Sequence, residues 1–302
     1  MRIFVTGASG FVGTAVVREL LQAGHQVVGL ARSDAAAKVV ADAGAVVYRG
    51  DIERHESLER GASEADGVIH TGFNHDFSKF KENSENDRKA IATLGSVLAG
   101  SKRPLVITSA IGVLPQGQLV TEQTIPPSPS PNPRAASEEA ARALMARGVE
   151  VSVVRLPPST HGEGDHHGFV PTLIRIAREK RASAYVGEGL NRWPAVHRVD
   201  AAKVFRLALE RATPGAYYHA VAEEGVAFRE IAEVIGRRLA VPVVAKSWDE
   251  AGAHFTWFAH FAALNVTASS KQTQERLQWR PALPGLIADL DQPHYFAGGE
   301  RP

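Results

Sequence analysis

A doubly wound α/β fold around a parallel sheet is what this sequence predicts. Short β-branched runs alternate with longer amphipathic stretches through the first half of the chain, the pattern of successive strand–helix–strand units. The first run breaks at once into the glycine-spaced string Thr6-Gly7-Ala8-Ser9-Gly10-Phe11-Val12-Gly13, which opens a helix. At 302 residues the chain has material for one large α/β domain or for two lobes sharing a cleft.

Strands are expected at residues 3–5, 27–30, 45–48, 67–70, 105–107 and 151–154. Between the first two, Val12, Val16, Glu19, Leu20 and Ala23 form a mostly apolar stripe at helical spacing, closed by Gly24. Residues 115–133 are proline-rich and read as a surface loop. The loop ends in Asn132-Pro133, an N-cap and first residue for a helix over 133–147. Beyond Arg155 come a glycine- and histidine-rich loop at 160–168, a helix over 170–180, an irregular stretch through Trp193, and helices at 199–211 and 228–239.

The composition, 44% hydrophobic and 22% charged, is that of an ordinary soluble globular protein, and a net charge of +1 gives no general attraction to nucleic acid or an anionic membrane. The absence of cysteine excludes disulfides, thiolate zinc sites and cysteine nucleophiles, and fits a reducing compartment. The first apolar run is too short for a signal sequence, and no run has the length to span a bilayer, so a cytoplasmic location is expected.

In Gly7-x-x-Gly10-x-x-Gly13 the glycines permit a tight turn, close approach of backbone to a pyrophosphate, and close packing of helix on strand, as in Rossmann-type dinucleotide sites. Thr6, Gly7, Ser9, Gly10, Phe11, Val12 and Gly13 are the expected cradle. An NAD site carries an acid about twenty residues on, whereas an adenosine 2′-phosphate needs a cation. This chain has Ala31-Arg32-Ser33 there. Arg32 pairs well with phosphate and Ser33 can donate to it, so NADP is expected, with NAD possible. Asp51 and Ile52 would border the adenine.

Thr6 through Gly13, Gly50-Asp51-Ile52, Val68-Ile69-His70, Thr108-Ser109, Arg155-Leu156-Pro157 and His197-Arg198-Val199-Asp200 together resemble the extended short-chain dehydrogenase/reductases, the NAD-dependent epimerase/dehydratase family, over nearly the whole chain. The resemblance implies a Rossmann-type parallel sheet of about seven strands. It assigns residues 1–156 to that domain and 157–302 to a smaller C-terminal substrate lobe, with 197–222 returning to the sheet. It further implies a small-molecule substrate and a monomer or homodimer. The backbone of His70, Thr71 and Gly72 would meet the nicotinamide ribose, and Pro157 and Pro158 the carboxamide.

The family's chemistry rests on a Tyr-x-x-x-Lys pair. Here Arg134 falls at the tyrosine place and Glu138 at the lysine place, and the family's serine or threonine falls at Ala110 or Ser109. A guanidinium stays protonated at any working pH, so Arg134 can steady a developing oxyanion but cannot serve as general acid. An exposed Arg–Glu pair one helical turn apart is the plain alternative. The resemblance is therefore to atypical members, for which cofactor binding carries over and the mechanism does not.

A carbonyl reductase needs a proton donor within hydrogen-bond reach of the acceptor oxygen. His75 beside Asp76, on the loop after the fourth strand, is the first candidate, with Asn74 as a substrate contact; His161 is the second. The run Gly162-Glu163-Gly164-Asp165-His166-His167 lacks any familiar ligand spacing, so a polar rim and no metal is expected. Tyr185 and Trp193 would shape an aromatic pocket or pack the lobe's own core, and Trp257-Phe258-Ala259-His260-Phe261 would line a pocket, a dimer surface or the core. Two functional readings follow: an NADP-dependent oxidoreductase reducing a small carbonyl or related unsaturated compound, or a catalytically inactive NAD(P)-binding sensor.

Overall fold

The computed structural model describes residues 1–297. In chain order the first part comprises β1 (Arg2–Thr6), α1 (Phe11–Gln22), β2 (Gln26–Ala31), α2 (Asp34–Asp42), β3 (Val46–Arg49), α3 (His55–Ser63), β4 (Gly67–His70), α4 (Phe80–Leu98), β5 (Leu105–Ala110), β6 (Leu119–Val120), α5 (Ala136–Met145) and β7 (Val151–Leu156). There follow β8 (Ser159–His161), α6 (Phe169–Lys180), β9 (Ser183–Val186), β10 (Arg192–His197), α7 (Arg198–Arg211), β11 (Tyr217–His219), β12 (Glu223–Ala227) and α8 (Phe228–Leu239). The chain closes with β13 (Val243–Lys246), α9 (Trp248–Phe255), α10 (Ala259–Ala262), β14 (Thr267–Ala268), α11 (Lys271–Leu277) and α12 (Leu286–Leu290).

The expected Rossmann-type sheet is present, with seven strands in the order β11-β7-β5-β4-β1-β2-β3. Every pairing in it is parallel. Both faces are covered, which is why its strands read as near-continuous apolar runs. Core residues of α1 and α7 fill one face. Those of α3, α4 and α5 fill the other. The strand order reverses between β1 and β4, whose last residues, Thr6 and His70, are register partners. A crevice at the carboxyl ends of the strands is the standard ligand position in such a sheet.

The smaller lobe is built on the three-stranded sheet β12-β10-β8 and the two-stranded sheet β13-β9. Trp193, Phe228, Phe255 and Phe258 are wholly or almost wholly buried in its core, beneath α6, α8 and α9. Three expectations are corrected here. The stretch leading through Trp193 is not irregular but carries β9 and β10, and part of the glycine- and histidine-rich loop is β8. These strands are short and stabilised by pairing with distant partners, which local sequence does not reveal. The helix expected over 133–147 begins as a single 3-10 turn, Pro133–Ala135, capped by Asn132, before α5 takes over. Among the described residues no helix is long and apolar enough to cross a membrane.

Helix α8 ends on Ala240, which sits in the left-handed region at φ 53°. A side chain there costs roughly 1 kcal/mol, and glycine is the usual occupant. Ala240→Gly is expected to raise the unfolding free energy by about 0.5–1 kcal/mol, read as a higher urea midpoint with an unchanged slope.

Candidate active site

The glycine string forms a tight knot at the reversal point of the sheet. Gly7 has φ 67°, and a Cβ added to Gly13 would lie 1.9 Å from the Gly7 carbonyl oxygen. Thr71 donates its hydroxyl to the Thr6 carbonyl at 2.7 Å, and the Gly72 amide donates to Thr6 Oγ1 at 3.3 Å. Strand ends β1 and β4 are thereby clamped to the start of α1. The N-cap of α1 is Gly10, with no side-chain cap, so the first-turn amides beside Ser9, Phe11 and Val12 remain open toward an anion.

At the end of β2, Arg32 is exposed, while Ser33 caps α2 by accepting from the Ala36 amide at 3.2 Å. The Ser33 hydroxyl proton stays available. After β3, Asp51 accepts from the Glu53 amide, and Ile52 packs against Gly72. Pro157 and Pro158 follow directly on β7, whose last residue, Leu156, pairs with Ala110. All these groups therefore lie along the carboxyl edge of one sheet, and the open amides and missing Cβ atoms fit a dinucleotide.

Beside this edge lies a buried polar chain. An ionised Asp87 can only accept, so His70 Nε2–H donates to it at 3.0 Å, and Nδ1 of that tautomer takes the Thr6 hydroxyl proton at 2.7 Å. The other Asp87 oxygen accepts from Arg134 at 2.8 Å and from Ser137. Arg134 also donates to the Thr108 carbonyl at 3.0 Å and lies 4.3 Å from the Phe73 ring centre. Burial opposes ionisation of Asp87, but Arg134 and the hydrogen bonds from His70 and Ser137 outweigh it and hold its pKa below the carboxylate norm. Arg134 is thus a fixed cation with unused N–H groups.

A second buried network holds Glu138, which is fully inaccessible. Arg155 grips it with Nε and Nη2 at 2.8 and 2.9 Å, and Ser109 donates to it at 2.7 Å. Arg155 Nη1 donates to His219 Nε2 at 3.2 Å, which leaves Nδ1–H to donate to the Ser269 carbonyl. Burial and the adjacent Arg155 push the His219 pKa down to about 3. The alternative of an exposed Arg134–Glu138 pair is therefore corrected, since each residue closes on a different buried partner. Ser109 faces Glu138 rather than the cleft, because alternation along β5 turns Thr108 and Ala110 the other way.

The remaining candidates divide. His75 keeps an exposed edge on the loop that carries Phe73, 5.2 Å between ring centres, and the protein packed around its ring, which strips water from it, lowers its pKa together with the Arg134 charge. Asn74 is partly buried and accepts from the Asp76 amide. His161 is only 1% exposed, bonded through Nδ1 to Asp289 at 2.8 Å, so it is an anchor inside the small lobe and not a group at the cleft surface. Tyr185 lies under Arg229, and Trp193 is wholly buried against Phe228; neither stands beside Arg134. Among the described residues no group of three or more potential metal ligands is gathered.

Sequence reasoning missed Asp87 and Phe77. Asp87 had a signal, as an acid on the helical stripe that continues through Ala90, Ile91 and Leu94. Phe77 stacks on Trp257 at 5.2 Å and meets Phe169 and Phe261, joining the loop after β4 to the small lobe. Nothing local to the sequence pairs these segments.

A family model described as the NAD dependent epimerase/dehydratase family matches residues 3–221. An uncharacterized protein of Schizosaccharomyces pombe is 48% identical over 98% of this chain and 100% of its own length. A protein of Stenotrophomonas maltophilia named 2-alkyl-3-oxoalkanoate reductase is 30% identical, covering 72% of this chain and 67% of its own. Among solved structures, dTDP-glucose 4,6-dehydratase from Streptomyces venezuelae with NAD bound superposes with a TM-score of 0.77, at 21% identity and 96% coverage of both chains, a likeness of fold.

His219 gives a test of the Glu138 network. A folded-state pKa depressed from 6.5 to about 3 means that its contribution is present above pH 6.5 and is lost as pH falls toward 3. Urea titrations across that window should show His219→Gln losing less stability on acidification than the parent protein. Parallel curves for the two would contradict a neutral, Arg155-bonded His219.

Proposed function

The chain belongs to the NAD dependent epimerase/dehydratase family, and on that premise we propose that it is an NADP-dependent oxidoreductase that reduces a small carbonyl or related unsaturated compound without a Tyr-Lys pair. The observation that carries this reading is Arg134, held by Asp87 and the Thr108 carbonyl at the position the family gives to tyrosine. The reductase name of the Stenotrophomonas relative supports it.

Thr6, Gly7, Ser9, Gly10, Phe11, Val12 and Gly13 would hold the pyrophosphate; Arg32 and Ser33 the 2′-phosphate; Asp51 and Ile52 the adenine side. His70, Thr71, Gly72, Pro157 and Pro158 would border the nicotinamide half. When bound, the cofactor supplies a hydride to the electrophilic carbon. Arg134 donates to the oxygen that gains charge as the carbonyl π bond breaks, and it keeps its own proton throughout. The proton that completes the alcohol comes from His75, whose lowered pKa makes its protonated form a stronger acid than ordinary imidazolium. Ser109, His161, Tyr185 and Trp193 support the site's framework instead of touching substrate.

A sensor without turnover is favoured by one feature, the closure of both Arg134 and Glu138 on buried partners. One experiment separates the readings: fluorescence titration with NADPH and NADH, then an absorbance screen of the same samples against aldehydes, ketones and enones. We expect NADPH to bind more tightly, Arg32→Ala to reduce that preference about tenfold, and Arg134→Lys, which keeps a cation beside Asp87 but loses the planar fork, to lower kcat/KM by about 10–10² with cofactor affinity retained. Binding of neither nucleotide overturns the assignment, and tight binding without turnover selects the sensor. With an acid donor, kcat/KM should also fall as pH rises above the His75 pKa, which lies below 6.5, and His75→Gln should flatten that profile.

A further inference from the structure

Arg198 begins α7, yet its side chain reaches the glycine string. Its guanidinium lies 4.8 Å from the ring centre of Phe11, and Nη1 donates to the Phe11 carbonyl at 3.3 Å. Phe11 is the first residue of α1, so this cation is held against the turn whose amides have no side-chain cap. Half-buried and buried arginines elsewhere are more fully engaged: Arg134 on Asp87, Arg155 on Glu138, Arg206 on Glu19, and Arg103 on the carbonyls of Ala62, Ser63, Ala65 and Val97. Arg198 is different. Among the described residues it makes no salt bridge, and burial together with the neighbouring Arg18 lowers its pKa, despite opposing effects from Glu163 and Asp165.

The segment beside it is well anchored. The Gly162 amide donates to the Tyr295 hydroxyl at 2.9 Å, His161 is bonded to Asp289, and a Cβ added to Gly164 would lie 3.5 Å from Arg198 Nη1. Arg198, on the helix that packs beside α1, is thus an incompletely bonded cation next to another cation and a helix N-terminus, an arrangement that an anion would complete.

We propose that Arg198 is a pyrophosphate-binding residue, contributed by the helix that packs beside α1 to the cofactor that the glycine string cradles. The proposal rests on the dinucleotide-binding reading above. Because Arg198 also lies against the anchored segment at Gly162 and Gly164, fixing its guanidinium on a dinucleotide would brace that segment of the small lobe against the sheet.

The test is direct binding to the full chain, with three probes: NADPH and ADP-ribose, which contain a pyrophosphate, and adenosine 2′-monophosphate, which has no phosphate on its 5′ carbon. Arg198→Met should weaken NADPH and ADP-ribose about 10–100-fold and leave adenosine 2′-monophosphate within about twofold. Arg198→Lys should recover part of the loss, and the dependence of NADPH affinity on salt should be shallower in the Met variant. Thermal melts establish that both variants fold. Unchanged NADPH binding in Arg198→Met overturns the proposal, as does an equal loss for all three probes, which would report a disturbed α1 terminus. If the parent protein binds no nucleotide, the dinucleotide reading itself falls, and this proposal with it.

Discussion

The ion pair between Asp87 and Arg134 is the constraint around which the candidate site is organised. It ties α4 to the start of α5 and, through His70 and the Thr108 carbonyl, to the ends of β4 and β5. Removing two charges from water costs several kcal/mol per ion, and attraction alone seldom recovers it. The site tolerates that cost because every Asp87 oxygen is bonded: one accepts from His70 and the other from Arg134 and Ser137. Loss of one member would strand a buried charge, so the elements that carry them have one stable arrangement.

Glu138 and Arg155 repeat this logic one turn along α5, with Ser109 and a neutral His219 completing the bonds. The two networks divide the work between them. The first leaves a guanidinium with spare donors next to Phe73 and His75, whereas the second is sealed. Two charged residues one helical turn apart, Arg134 and Glu138, are therefore both buried, yet only the first keeps unused donors.

The lobes meet through contacts of different character. Phe77, Phe169, Trp257 and Phe261 form an aromatic seam between the loop after β4 and the small lobe, while Arg198, on the helix beside α1, bonds to Phe11 and lies against the 162–164 segment. Apolar contact brings the lobes together without fixing direction. The hydrogen bond to the Phe11 carbonyl and the anchoring of Gly162 by Tyr295 give the polar side of that junction a defined geometry.

By itself the sequence determined six of the seven strands of the sheet, the glycine turn and the covering helices α1, α5 and α7, because these depend on periodicity and on backbone space that only glycine leaves near Gly7 and Gly13. It also placed Arg32 at the end of β2. Only the tertiary structure decided that Arg134 and Glu138 are buried and bound to separate partners, that His161 is an internal anchor, and that β8, β9 and β10 are strands. Asp87 and Arg134 are 47 residues apart in the chain, and His161 and Asp289 are 128 apart. The state of a charged side chain depends on what the fold sets within a few ångströms of it, and that information is not local to its own stretch of sequence.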